Sequence, residues 1–306
     1  MMDKACIEIV RLLLESAPAV FETPQFAMKG GTAINLFIED MPRLSVDIDV
    51  VFTHHLASRD QALKSISSGL EAARSRLAKA GLESDVSATK DGDEIKLFIR
   101  RGRNQVKVEV NHVFRGTVLP VETRTLGDEA RKLFTTELSV PVLAAPELYG
   151  SKLVAAMDRQ HPRDLFDVRG LFERGGLTPE VVECFVCYLA GHNRPAHEVL
   201  FSRDQDMSSA FDNEFVGLTR NSITLAELEA VRRRLKTELP AALTANQQTF
   251  LLGLLAGEPD WSLMKCPHLS QLPAIRWKLQ NLTRLKKSNP DKFAQQTREL
   301  RARLAA

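Results

Sequence analysis

Apolar and polar positions change their period several times along the first half of the chain. Residues 3–17 repeat at helical spacing and predict an amphipathic helix. Phe26-Ala27-Met28 is a short apolar run that stops at Gly30-Gly31. Helical spacing returns from Thr32 to Glu39, with Thr32 placed as the N-cap. Asp47–Phe52 (DIDVVF) is rich in β-branched residues and predicts a strand. Residues 58–80 predict a helix that stops at Gly81. Four strand-like runs follow, at 83–89, 94–101, 105–113 and 117–124. The second and third are joined by a hairpin turn over Arg101-Gly102-Arg103-Asn104.

Beyond Pro141 and Pro146 the two-residue alternation disappears. Helices are predicted at 147–158, 162–174, 178–190, 208–217, 224–239, 242–256, 273–287 and 291–304. The pattern therefore predicts a small α/β domain over 1–145 and a helical domain over 146–306, with no internal repeat.

Composition narrows the class. With 306 residues, 44% hydrophobic and 26% charged, the chain can bury a sizeable core, which excludes disordered and collagen-like proteins. No apolar run approaches the roughly 18 residues of a membrane span. Asp3, Glu8 and Glu15 interrupt the N-terminal apolar pattern, so it does not read as a signal peptide. Four cysteines are too few for a disulfide framework, and a cytoplasmic location is expected. The net charge of +2 hides an asymmetry. From Lys265 to Ala306, five lysines and five arginines stand against Asp291 and Glu299. This basic tail either meets a polyanion or coats the solvent faces of two terminal helices.

Three segments carry candidate chemistry. Lys29-Gly30-Gly31-Thr32 leads into a helix, where a backbone without side chains lets a phosphate approach free N–H groups. Asp47 and Asp49 alternate with apolar Val46, Ile48 and Val50, so both carboxylates point to one face of a strand. Paired carboxylates repel unless a cation lies between them, and a hard divalent ion such as Mg²⁺ suits oxygen ligands. Glu109, on a later strand, is either a third carboxylate for that site or half of a cross-strand ion pair. A fourth segment adds cations. Lys152, Arg159 and Arg163 would lie along one side of a helix with a break at His161-Pro162. They would face a triphosphate, or pair with Asp158, Asp164 and Asp167. Cys184 and Cys187 sit in an apolar helical run and read as core, and His112 points to the face opposite Glu109.

The order of these pieces resembles nucleotidyltransferases of the polymerase-β type. KGGTAINLF followed by RLSVDIDVVF is similar to the AbiEii/AbiGii (MenT-like) nucleotidyltransferase toxins. The likeness continues through Glu147-Leu148-Tyr149-Gly150-Ser151-Lys152-Leu153, Arg159 and Arg163-Asp164-Leu165-Phe166-Asp167. The resemblance implies an α+β fold: a small nucleotidyltransferase domain with a mixed sheet, then a helical domain contributing Lys152 and Asp167 to the cleft. It implies an NTP-dependent transfer of a nucleoside monophosphate to RNA, with the tRNA 3′ end as acceptor, by a toxin of a toxin–antitoxin or phage-defence pair. The implied catalytic residues are Asp47, Asp49, Glu109, Lys152 and Asp167. The implied nucleotide contacts are Lys29, Gly30, Gly31, Thr32, Arg43, Ser45, Lys152 and Arg163. Asp47, Asp49 and Glu109 would hold Mg²⁺ or Mn²⁺, and an antitoxin encoded nearby would be the partner. Gly31-Thr32 replaces the usual Gly-Ser with the hydroxyl retained, and Glu109 stands where many relatives have Asp. Transfer to a protein hydroxyl or a small molecule, or a nucleotide-binding regulator without turnover, are the alternative readings.

Overall fold

The computed structural model describes residues 2–88, 95–111 and 113–305. The chain divides into two compact units, Met1–Leu148 with Phe215–Ser222, and Tyr149–Glu214 with Ile223–Ala306. The alternation of the sequence placed a change near residue 145 but did not show the return of 215–222 to the first unit.

The first unit is built on a seven-stranded sheet. Its elements are α1 (Lys4–Phe21), β1 (Phe26–Lys29), α2 (Gly30–Ala33), β2 (Asp47–Phe52) and α3 (Arg59–Lys79). Then come β3 (Glu83–Ala88), β4 (Ile95–Arg101), β5 (Asn104–Asn111), β6 (Glu122–Thr125), α4 (Asp128–Phe134) and β7 (Ser139–Val142). The strand order is β3-β4-β5-β2-β1-β7-β6. The β2–β5 and β1–β7 pairs are parallel and the others antiparallel, so the sheet is mixed. The central strands supply the core: Phe26, Met28, Ile48, Val50, Val106 and Val108 are fully buried. Helices α1 and α3 pack on the sheet and on each other.

Several local expectations are corrected here. Thr32 does not cap a helix: Lys29 takes that position, and Thr32 lies inside α2, which runs on into a π-helical turn at Ile34–Ile38. The run 117–124 is a strand only over Glu122–Thr125. Its earlier part is claimed by a side chain, because the buried Glu147 carboxylate accepts the N–H groups of Val118 and Leu119. The short α4 and β7 were not anticipated. Residues 89, 94 and His112, within or beside the predicted strands, lie outside the described residues.

The α5 helix (Ala145–Asp158) begins in the first unit and ends in the second. It is followed by α6 (Pro162–Glu173), α7 (Pro179–Ala190), α8 (Ala196–Leu200), α9 (Ser208–Glu214) and α10 (Leu225–Ala241). The chain continues with α11 (Ala245–Ala256), α12 (Pro273–Ser288) and α13 (Pro290–Leu304). Thr178, Thr224 and Thr244 start α7, α10 and α11, each with its hydroxyl accepting a first-turn N–H. Val181–Ala190 of α7 is buried throughout, and Cys184 and Cys187 are free thiols in that core. Among the described residues, no helix is long and apolar enough to cross a membrane.

Candidate active site

Strand register assembles the acidic residues. In the parallel β2–β5 pair, Asp47 lies opposite Lys107 and Asp49 opposite Glu109. Ile48 and Val50, between and beyond the aspartates, are fully buried, so the aspartates occupy the other, half-buried face. Register extends this row to four strands, because Lys96 pairs with Glu109 and Lys29 with Asp49. Directly opposed residues share a face, so Lys96, Glu109, Asp49 and Lys29 form one line across the sheet.

The Glu109 carboxylate is 2.9 Å from the Lys96 ammonium and 3.4 Å from that of Lys107, which is also 3.9 Å from Asp47. Partial burial pushes the Glu109 pKa up, but the Lys96 hydrogen bond and the charges of Lys107 and Lys96 outweigh it and hold it below the ordinary value. The structure thus shows the cross-strand ion pair that was one of the two expectations for Glu109.

The glycine turn closes directly over Asp49. Gly30 has φ +76, and a Cβ there would stand 2.1 Å from Asp49 Oδ2. A Cβ on Gly31 would stand 2.6 Å from the Arg43 guanidinium and 3.2 Å from Ser45 Oγ. Arg43 is only 2% exposed and donates to the Leu44 carbonyl at 3.0 Å. Thr32 is fully buried; its hydroxyl donates to the Asp47 carbonyl at 2.5 Å and lies 2.9 Å from Ser45 Oγ. Arg43, Ser45 and Thr32 therefore sit behind the turn, where they tie it to the start of β2. The returning segment braces the same loop: Arg43 bridges to Thr219, Leu44 N–H donates to the Leu218 carbonyl, and Arg220 N–H donates to that of Pro42. Nothing local in the sequence marks that brace.

The second unit holds its own charged cluster. Lys152 Nζ, on α5, lies 2.8 Å from Asp164 and 3.0 Å from Asp167, both on α6. Arg159 Nε donates to Asp164 at 2.5 Å and its terminal nitrogen donates at 3.0 Å. The Lys152, Asp164 and Asp167 side chains are buried, whereas Arg159 is largely exposed. Burial pushes the Asp164 carboxyl up, but Lys152 and Arg159 overcome it and hold it well below the carboxylate range. Gln160 joins the two helices with φ +50, and His161 caps α6 by accepting the Arg163 N–H. Arg163 turns instead toward Glu214 at 3.6 Å, and Asp158 pairs with Arg194 at 2.5 Å. The pairing alternative for these cations thus holds for Lys152, whose pairs lie in the interior, and for Arg159, which reaches buried Asp164 from the surface. By sequence Asp164 reads as one acid of a surface pair; only its burial distinguishes it.

Among the described residues, no three His, Cys, Asp or Glu side chains converge as ligands for a metal. Asp47 and Asp49 nevertheless fit the pattern of Mg²⁺ held by one or two carboxylates with phosphates completing the shell. Glu109 lies on its lysines.

Residues 11–281 match the family described as nucleotidyl transferase AbiEii toxin, type IV TA system. No curated protein matches the chain by sequence. Among solved structures, the nucleotidyltransferase toxin MenT4 from Mycobacterium tuberculosis is similar, with a TM-score of 0.58 and 22% identity over 88% of this chain and 92% of that one. That likeness establishes a shared fold. The family match over most of its length places the chain in the AbiEii nucleotidyl transferase toxin family of type IV toxin–antitoxin systems, and the protein is a nucleotidyltransferase.

Proposed function

We propose that this nucleotidyltransferase moves a nucleoside monophosphate from an NTP to an RNA hydroxyl, with the tRNA 3′ end as acceptor and Mg²⁺ or Mn²⁺ held by Asp47 and Asp49. Family membership carries the coarser statement: an NTP donor and a cognate antitoxin as partner. The observation that most supports the finer reading is the row of acids at the mouth of β2, with a glycine turn packed directly on Asp49.

In the proposed reaction the acceptor oxygen attacks the α-phosphorus in line, the bond to pyrophosphate breaks, and the hydroxyl proton passes to a carboxylate. A divalent ion bound by Asp47 and Asp49 would neutralise the paired carboxylates and the departing pyrophosphate. Gly30 and Gly31 leave backbone open to the phosphates, and Lys29, on the Asp49 row, adds positive charge. Thr32, Arg43 and Ser45 act on the nucleotide through the turn they hold. Glu109 is the third acid; its lysine partners are about one-third exposed, and such pairs exchange partners at little cost, ~0–1 kcal/mol. The proposal assigns Lys152 of the helical unit to the nucleotide phosphates, with Asp167 and Asp164 keeping its ammonium charged and fixed, and Arg163 as a further phosphate contact.

The test is incubation of purified protein with total tRNA, Mg²⁺ and each α-³²P-labelled NTP, beside an Asp47→Ala/Asp49→Ala control. Label on RNA, absent in the control, is expected. Label on protein instead would move the acceptor to a protein hydroxyl. No label on RNA or protein, with NTP still bound, would overturn the RNA-acceptor reading in favour of an acceptor absent from the mixture or of a regulator without turnover.

A further inference from the structure

The two terminal helices carry a second feature that the acidic row does not explain. Helix α12 buries Ala274, Ile275, Lys278 and Leu282, and α13 buries Phe293, Gln296 and Leu300. The opposite face of α12 presents exposed Arg276, Gln280, Arg284 and Lys287, spaced about one turn apart, with exposed Trp277 beside them. On α13, Lys292, Arg298 and Arg301 are also exposed, the last two about one turn apart.

Elsewhere exposed cations are paired at several points: Arg74 with Glu71, Arg124 with Glu122 and Lys132 with Glu129, at 2.5–3.1 Å. The cations of the terminal helices make no ion pair among the described residues; Arg284 lies over the Trp277 ring at 5.6 Å and Lys286 over Phe293 at 5.5 Å. Trp277 is 46% exposed, and among the described residues no other Phe, Tyr or Trp is so open to solvent. The family match ends at residue 281, so most of this basic surface lies beyond it.

A flat aromatic ring set among unpaired cations suits a chain of phosphates with a base to stack. A bilayer suits it less, because both helices turn their apolar faces inward and leave only one ring for insertion. From this juxtaposition we infer that the outer face of α12, continued by the α13 cations, is an RNA-binding surface on which Trp277 stacks an unpaired base. The inference rests on the RNA-acceptor reading above and gives that acceptor a docking surface.

The experiment titrates full-length protein into fluorescein-labelled total tRNA and an unstructured oligoribonucleotide, reading anisotropy across a range of KCl. Three variants are compared: Arg276→Ala/Arg284→Ala/Lys287→Ala, Trp277→Leu, and a control, Arg74→Ala/Arg124→Ala/Lys132→Ala, that removes the same charge from paired positions. Every substituted side chain is exposed, and thermal melts check that each variant folds. The first triple is expected to weaken binding at least about ten-fold and to flatten the log K against log[salt] slope by about 2, at roughly 0.7 for each phosphate no longer neutralised. Trp277→Leu is expected to weaken binding to the oligoribonucleotide about five-fold or more and to abolish RNA quenching of tryptophan emission. Unchanged binding in both variants, or equal loss in the control, would overturn the inference. Binding to anionic phosphatidylserine vesicles without RNA binding would overturn it in favour of a lipid surface. The label-transfer assay run on the same variants separates the two readings. RNA binding that depends on α12, without transfer to RNA, sinks only the acceptor reading; transfer with binding insensitive to α12 sinks only this one.

Discussion

Gly30 shows how one residue can be required twice. Its backbone occupies a left-handed conformation, and the space for a side chain is already filled by the Asp49 carboxylate. Gly30→Ala is therefore expected to cost about 1–3 kcal/mol through strain and to displace Asp49, read as a lowered melting temperature together with lost transfer activity. Asp49→Asn separates the two effects. It keeps the shape of the half-buried side chain, so stability is expected to change by less than about 1 kcal/mol, while transfer falls on the order of a thousand-fold or more. A melt and a single-turnover label assay on both variants check the pair; an active Asp49→Asn protein would remove this carboxylate from the chemistry.

At the scale of elements, the α5–α6 hairpin is organised around a buried ion cluster. Lys152 brings one positive charge into the interior, and Asp164 and Asp167 meet it, with Arg159 reaching Asp164 from the surface. A buried pair gains little net stability, but removing one partner leaves an uncompensated charge. Here Lys152 keeps Asp167 and Arg159 is solvated, so Asp164→Asn loses charge-assisted hydrogen bonds without stranding a buried charge, and is expected to cost about 1.5–3 kcal/mol at neutral pH in urea unfolding. The pH dependence has a definite sign. The folded pKa of Asp164 is depressed, so its contribution is full above the ordinary carboxyl value and is lost as pH falls below about 4. The gap between wild type and Asp164→Asn should therefore narrow in acid, and a gap that widened there would contradict the pairing. The link between the helices is equally specified. Gln160, in a left-handed conformation, donates to the Arg203 carbonyl at 2.6 Å and accepts from Arg232 at 3.2 Å.

Across the whole molecule, chain order and compact units diverge. Phe215 is 1% exposed, and 215–222 belongs with the first unit although more than sixty residues of the second unit precede it. A fragment ending at Leu148 is expected to lose this brace on the 42–44 loop and to melt lower than the same unit in the full chain. Hydrogen exchange on the Leu44 amide, which donates to Leu218 at 2.8 Å, would report the loss directly; equal protection in fragment and full chain would remove the brace from the account.

Much of this arrangement was legible in the chain itself. Two-residue alternation in DIDVVF and QVKVEVNHV marks buried strands, because the pleat alone sets which side chains share a face. Helical spacing after residue 145 marks the run of helices from α5 onward, and the GG-to-DxD order with R-D-L-x-D resembles the family that the chain matches. Long-range pairing was not legible. That Glu109 stands opposite Asp49 depends on the parallel register of β2 and β5, which no local pattern encodes. That Thr32 and Arg43 face inward, and that Lys152 pairs in the interior instead of on the surface, depends on which neighbours the fold supplies. Periodicity fixes direction relative to a residue's own element; burial and partners are set by segments distant in sequence, and only the tertiary structure decides those.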